Sequence, residues 1–152
     1  MLGRMGGMAT TKKKPAATKR VHTSVASGRP AARRASSGRV AADDPLSVER
    51  VRYLAEEFGG AQLAAIVGVN RSQPSRWIAG DERPGPAAAP LLIDLEHVLA
   101  RARLVWGETA ARTWLDSANV YLGGGRPIDV LQISGPAPVL EALDAETWGG
   151  AA

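Results

Sequence analysis

Apolar residues recur from about residue 48 onwards at spacings of three and four, the period of a helix with one buried face. The first set stands at i, i+3, i+4 and i+7 and comprises Val51, Leu54, Ala55 and Phe58. It predicts a helix over roughly 48–58, with Ser47 as its N-cap. Gly59 and Gly60 follow, and the glycine pair is expected to end the helix there.

The same periodicity, interrupted by glycine and proline, predicts a series of further helices. We expect them over about 61–67, 71–79, 90–106, 108–116, 127–132 and 137–148. The longest has a heptad-like apolar seam formed by Leu91, Leu95, Val98, Ala102 and Val105. Such a seam is typical of a core or dimer helix, here one that joins two halves. No alternating β-branched run predicts a strand, so the expected fold class is all-α.

Charge divides the chain into a basic tail and a mildly acidic body. Residues 1–40 carry ten Lys and Arg and no acid, whereas residues 41–152 carry nine Lys and Arg against fifteen Asp and Glu. Because it has few apolar groups with which to form a core, the segment 1–44 is predicted to be disordered. This tail could be a solubilising segment, a DNA-steering arm or a targeting signal, and translation could begin at Met8 instead of Met1.

Candidate catalytic chemistry is scarce in this sequence. There is no cysteine, which excludes disulfides and thiolate metal sites and fits a reducing cytoplasm. The two histidines, His22 and His97, lie in the tail and on the longest predicted helix, and no metal-binding or nucleophile motif is present. No apolar stretch approaches the ~20 residues needed to span a bilayer. We therefore expect a cytoplasmic binding protein, not an enzyme, with no cofactor, metal or membrane contact.

Residues 61–80, AQLAAIVGVNRSQPSRWIAG, carry the strongest local signal. A short helix, a turn at Gly68 and a second helix are the parts of a helix-turn-helix, in which glycine supplies the left-handed backbone of the turn. Asn70 is expected to cap the second helix together with Gln73 in a capping-box-like pair. Trp77 is expected to anchor that helix in the core.

The second helix presents side chains suited to DNA, namely Arg71, Ser72, Gln73, Ser75 and Arg76. Glutamine can pair with adenine, arginine with guanine, and serine with phosphate or base edges. An ordinary helical hairpin with a solvated polar face is the alternative. The segment GVNRSQPSRWIAG, with QLA before it, resembles the Xre-type (Cro/repressor-like) helix-turn-helix. Pro74 stands where that family usually has a branched apolar residue facing the core.

Residues 106–150 carry a second resemblance, to the toxin-binding domain of the MbcA/ParS/Xre antitoxins. The matching pattern comprises Ala111, Trp114, Leu115, Asn119, Leu122, Gly123, Gly124, Pro127, Asp129, Val130, Leu131, Gly135 and Val139. One extra glycine extends the run at 123–125 compared with the usual form. Together the two resemblances cover roughly residues 48–150.

The resemblance implies a domain order and a function. Residues 45–100 would form a DNA-binding domain and residues 101–152 a toxin-binding domain. Such antitoxins bind a RES-domain toxin, an enzyme that consumes or uses NAD, and block its cleft with their C-terminal region. They form dimers and commonly repress their own promoter. The expected toxin-binding residues are Trp114, Asn119, Leu122, Gly123, Gly124, Arg126, Trp148, Gly149 and Gly150. A stand-alone Xre-type regulator without a toxin is the alternative.

The residues by themselves leave several of these roles open. Trp114, Tyr121 and Trp148 could be core residues or binding hot spots, since one Trp ring desolvates a large area. The glycines at 123–125 could be a permissive loop, and they lack the GK[ST] of a phosphate-binding loop. The last four residues, 149–152, could be a frayed end or a slender plug for a nucleotide cleft.

Overall fold

The structure of the protein is a computed structural model that describes residues 43–149. Every regular element in this range is helical, which confirms the all-α prediction. The elements are α1 (Ser47–Phe58), α2 (Gly60–Val67), α3 (Gln73–Ala79), α4 (Ala88–Trp106), α5 (Glu108–Asp116), the 3-10 helix η1 (Val120–Leu122), α6 (Pro127–Ser134) and α7 (Pro136–Gly149). None of the described helices is both long and apolar enough to cross a membrane. The predicted disorder concerns residues 1–44, of which residues 1–42 lie outside the described range, as do residues 150–152. The last residue of that segment, Asp44, is described and bonds to Leu46 and Arg50.

One hydrophobic core runs through all seven of these α-helices, with α4 at its centre. α4 packs against α1, α2, α5, α6 and α7, and α2 also touches α6. Within the predicted seam, Leu95, Val98 and Ala102 are fully buried, whereas Val105 at its end is 39% exposed. The domain boundary proposed between residues 100 and 101 falls inside α4, so the parts of the chain on either side of it share this core.

The start of α1 is set by Asp44, and the expectation of a Ser47 cap was wrong. The helix begins at Ser47, which is buried, and no side chain caps it at the preceding Leu46. Instead, Asp44 Oδ1 accepts a hydrogen bond from the Leu46 amide at 3.0 Å, and Asp44 Oδ2 accepts one from Arg50 Nε at 3.0 Å. A carboxylate at this end also interacts favourably with the helix dipole, so Asp44, not Ser47, stabilises the start of α1.

The turn between α2 and α3 has the expected backbone but a different side-chain arrangement. Gly68 adopts φ 73°, in the left-handed region that a tight turn requires. Asn70 Oδ1 accepts a hydrogen bond from the Ser72 amide at 3.1 Å, so it caps the residues that lead into α3. The capping-box role of Gln73 was wrong, because the Gln73 side chain bonds to Glu82 in the loop that follows α3.

Arg103 ties α4 to the neighbouring helices α1 and α5. Its Nη1 donates to the Tyr53 hydroxyl at 2.7 Å and to Glu57 Oε1 at 2.6 Å, and its Nη2 donates to Glu108 Oε2 at 3.2 Å. The guanidinium carbon lies 5.7 Å from the centre of the Tyr53 ring. The hydrogen bond with Tyr53, and then that with Glu57, raises the pKa of Arg103 above its ordinary value. This cluster links the first helix to the middle of the fold.

Replacing Arg103 with Ala is expected to lower the melting temperature by a few degrees. The Glu57 side chain is only 12% exposed and would lose its charged partner. The matched control is Arg52→Ala, which removes an arginine paired with Glu49 at 44% and 66% exposure and should change little. Thermal unfolding followed by circular dichroism compares the two, and equal shifts would contradict the linking role of Arg103.

Asp94 is a half-buried acid on α4 between Ile93 and Leu95. Burial raises the pKa of its carboxyl above the ordinary 3.8, and nearby His97 partly offsets this effect. The folded protein therefore holds this proton more tightly than the unfolded chain does. Stability is consequently lost as the pH rises from the unfolded-state pKa through the higher folded-state pKa.

Asp94→Asn is therefore expected to raise the melting temperature at pH 7, because a neutral amide is less costly to bury than a carboxylate. The gain should shrink as the pH falls towards the ordinary carboxyl pKa of 3.8, where the parent side chain is itself becoming neutral. Melting curves at a series of pH values measure both trends. A variant that melts below the parent at pH 7 would refute the account of Asp94.

Candidate functional site

The side chains predicted to read DNA lie on α3 and on the turn before it. Four of the five are exposed, namely Arg71, Ser72, Ser75 and Arg76. The fifth, Gln73, is half-buried, and the opposite face holds the buried Trp77 and Pro74. Pro74 is the second residue of α3, a position whose amide has no partner within the helix. It therefore takes the core-facing place of a branched apolar residue without breaking the seven-residue helix.

Two of these side chains converge on one carboxylate. Gln73 Nε2 donates a hydrogen bond to Glu82 Oε2, and Arg76 Nη1 donates one to Glu82 Oε1 at 2.9 Å. Glu82 belongs to the loop after α3, which turns back at Gly80 with φ 79°. Nothing in the spacing of the sequence singles out Glu82, because its proximity to α3 depends on how this loop turns.

Asn119 is the centre of the loop that joins α5 to α6. It is 4% exposed. Its backbone amide donates to the Gly125 carbonyl at 3.0 Å, and its backbone carbonyl accepts from the Gly124 amide at 2.8 Å. Its Oδ1 accepts from the Tyr121 amide at 2.9 Å and so caps η1. The residue expected to contact a toxin is thus a buried organiser of the loop.

Glu146 on α7 connects this loop and α5 to the last helix. Its Oε1 accepts a hydrogen bond from Asn119 Nδ2, and its Oε2 accepts one from Trp114 Nε1 at 3.0 Å. Trp114 is half-buried, and its ring centre lies 5.2 Å from that of Trp106 at the end of α4. These contacts bring Trp114 and Asn119 together around a carboxylate that the sequence did not single out.

The glycine run at 123–125 forms a tight turn. Gly123 and Gly124 have φ values of 63° and 86°, in the region that favours glycine. A Cβ on Gly125 would lie 3.1 Å from Val130 Cγ2 and 3.2 Å from the Leu122 carbonyl oxygen, so a side chain there would force its neighbours apart. The absence of a side chain at Gly125 therefore permits the close approach of the loop to α6.

Arg126 leaves the glycine turn at the surface and pairs with Asp129 in the first turn of α6. Its Nε lies 2.7 Å from Oδ2, and its Nη2 lies 2.8 Å from Oδ1. The hydrogen bond with Asp129 raises the pKa of Arg126 above its ordinary value. The guanidinium is half-exposed, and the bidentate pair holds it beside the loop with its charge balanced by Asp129.

Three exposed apolar residues, Val120, Tyr121 and Trp148, lie where this loop meets the end of α7, and we call them the loop–helix patch. They are 90%, 59% and 80% exposed, so neither Tyr121 nor Trp148 is a core residue. η1 packs against α7, and a Cβ on Gly149 would stand 3.6 Å from the Tyr121 hydroxyl. Large apolar side chains grouped at a surface mark interaction sites.

The expected toxin-binding residues are therefore arranged in two layers. Trp114 and Asn119 lie beneath the loop around Glu146, whereas Arg126 and Trp148 are exposed beside it. Gly150 lies outside the described residues. Val120 is a surface residue that the sequence analysis missed, because an apolar residue followed by tyrosine gives no sign of exposure until the 3-10 turn is known.

Comparison with models of protein families assigns this part of the chain. Residues 101–149 match the model of the antitoxin Xre/MbcA/ParS C-terminal toxin-binding domain. The match confirms the second resemblance in the sequence, that of residues 106–150 to this toxin-binding domain, and it supports an antitoxin role. The segment contains the loop, Glu146 and the loop–helix patch. Neither the comparison with curated proteins nor that with solved structures gave a match.

Proposed function

We propose that the protein is the antitoxin of a two-component toxin–antitoxin system, in which it blocks a RES-domain, NAD-consuming toxin. In this proposal residues 101–152 bind the toxin, and residues 45–100 bind operator DNA as part of a homodimer that represses its own operon. The match of residues 101–149 to a toxin-binding domain is the observation that carries the proposal.

The loop–helix patch is the centre of the proposed toxin contact. Aromatic residues dominate binding hot spots because each ring removes a large area from water, and here Val120, Tyr121 and Trp148 are all exposed. Tyr121 lies near Gly149, the residue that follows Trp148. Leu122, the glycine turn and Arg126 would form the rim of the contact. Trp114 and Asn119 would support it from below through Glu146.

Residues 149–152 follow Trp148 in the sequence and are the proposed plug of the toxin cleft. Gly149 closes α7, and the residues that follow it in the sequence are glycine and alanine, whose lack of bulk suits a narrow nucleotide site. Ordering a segment of glycine and alanine on binding costs conformational entropy, so the aromatic patch would supply most of the affinity and the plug most of the inhibition.

The proposed DNA contact uses Arg71, Ser72, Gln73, Ser75 and Arg76. Four of these side chains are exposed on α3 and its preceding turn and Gln73 is half-buried, while Trp77 and Pro74 are buried in the core. A short helix held in this way can present arginine and glutamine to base edges in the major groove.

The decisive experiment pairs the full chain with a RES-domain enzyme encoded beside it. We expect the two to copurify, and NAD consumption to stop when the antitoxin is titrated to equivalence. Removing Gly149–Ala152 should preserve the complex but restore part of the NAD consumption. Full inhibition by the truncated chain would refute the plug alone. If the intact chain neither binds nor inhibits the enzyme, the antitoxin proposal fails, and specific DNA binding would then favour a stand-alone regulator.

A further inference from the structure

A carboxylate among side chains proposed to meet DNA needs an explanation, because the DNA backbone is itself negative. Glu82 bonds to both Gln73 and Arg76, the two residues on α3 with the greatest capacity for base recognition. The Arg76 and Glu82 side chains are 55% and 42% exposed. Exposed ion pairs of this kind add little to folding stability, so the stability of the fold does not account for the arrangement.

The hydrogen-bonding capacity that remains is suited to bases. Glu82 engages Nη1 of Arg76, which leaves the Nε and Nη2 donors of the guanidinium fork for the O6 and N7 acceptors of guanine. It engages one of the two amide protons of Gln73 and leaves the other proton and Oε1 for adenine. The carboxylate thus fixes the direction of both side chains without consuming their base-reading edges.

We infer that Glu82 is a specificity-determining residue for the proposed DNA contact. It holds Arg76 and Gln73 towards the bases, and its charge disfavours the alternative in which the arginine turns onto a phosphate. An arginine free to move would bind the phosphate backbone of any duplex. An arginine held by Glu82 would bind most tightly to a duplex that places guanine opposite it. The inference rests on the proposed function, since it concerns the same helix and the same ligand.

Glu82 could instead only weaken DNA binding by shielding Arg76. A measurement distinguishes this role from the positioning of the side chains. If the carboxylate only shielded Arg76, its removal would raise the affinity for every duplex by the same factor. If it positions the side chains, its removal raises affinity for unrelated DNA but lowers the preference for the operator. The ratio of the two affinities therefore distinguishes positioning from shielding.

The test uses the full chain and two duplexes of equal length, one from the region upstream of its own gene and one with the same bases scrambled. Fluorescence anisotropy at a fixed salt concentration gives both dissociation constants. For Glu82→Ala we expect the operator preference to fall about tenfold, with tighter binding to the scrambled duplex. Glu82→Gln keeps one acceptor oxygen, so its operator preference should lie between those of the parent and Glu82→Ala.

Asp81→Ala is the matched control, because it removes the same charge one residue away. Asp81 meets α3 through its backbone amide, which donates to the Arg76 carbonyl at 3.0 Å, and the substitution keeps that amide. An unchanged preference in Glu82→Ala, or an equal loss in Asp81→Ala, would overturn the inference while leaving DNA binding in place. A parent protein with no preference between the duplexes would refute the proposed DNA function, and the inference with it.

Discussion

Replacing Trp148 with Ala is expected to weaken the complex with the toxin about 30-fold, which corresponds to about 2 kcal/mol, without changing the melting temperature. The separation of the two effects follows from the position of the side chain. Trp148 is 80% exposed in the free protein, so its removal leaves no cavity in the core. In the complex the same ring would be desolvated, which is where aromatic anchors contribute most.

Isothermal titration with a RES-domain toxin measures the change, and Ile133→Ala provides the control. Ile133 is 76% exposed and apolar but lies on α6, outside the loop–helix patch. We expect its removal to alter the dissociation constant by less than about threefold. If Trp148→Ala binds as tightly as the parent, the patch is not the toxin contact, whatever the assignment of the rest of the domain.

Replacing Asn119 with Ala is expected to destabilise the folded protein by about 2–5 kcal/mol. The change removes the cap of η1, a loss of about 0.5–2 kcal/mol, and a hydrogen bond to a carboxylate, which is worth about 1.5–3 kcal/mol. It also leaves Glu146 with a lone pair facing an apolar side chain. Because the loop carries Val120 and Tyr121, toxin affinity should fall together with stability.

Asn70→Ala separates this effect from the ordinary loss of an asparagine cap. Asn70 also accepts a hydrogen bond from the amide two residues ahead, at 3.1 Å, but it is exposed and has no carboxylate partner in the described structure. Its removal should lower the free energy of unfolding by about 0.5 kcal/mol, the lower limit for the loss of a cap. Urea unfolding gives both values, and equal losses would show that the bond from Asn119 to Glu146 contributes nothing.

The helices could be predicted from the sequence because apolar spacing and glycine breaks are local signals. The predicted bounds of 108–116 agree with α5. Every end predicted for the other helices lies within two residues of the end in the structure. The cap at Ser47 could not be judged in the same way. Whether a serine or a nearby aspartate meets the first free amides depends on how the chain enters the helix, and Asp44 enters from three residues earlier.

The candidate sites were predicted less completely, because their geometry depends on contacts that are distant in sequence. The resemblance supplied Trp114 and Asn119, but the residue that joins them, Glu146, lies 27 positions beyond Asn119. Glu82 likewise reaches Gln73 from nine positions away. Carboxylates of this kind look like any solvated acid in a sequence of 152 residues, and only the folded chain shows which of them are bonded.

The continuity of α4 limits how this protein can diversify by recombination. A crossover between residues 100 and 101 would join two unrelated half-helices in mid-turn, and the buried Val98, Leu99 and Ala102 would then face a core shaped by a different ancestor. Exchange of whole modules between paralogues is therefore disfavoured. Under the proposed function, new operators would be reached by point substitutions on the exposed side chains of α3, and new toxins by substitutions in the loop–helix patch. Specificity for DNA and specificity for the toxin would then evolve separately, although the helices that carry them are inherited together.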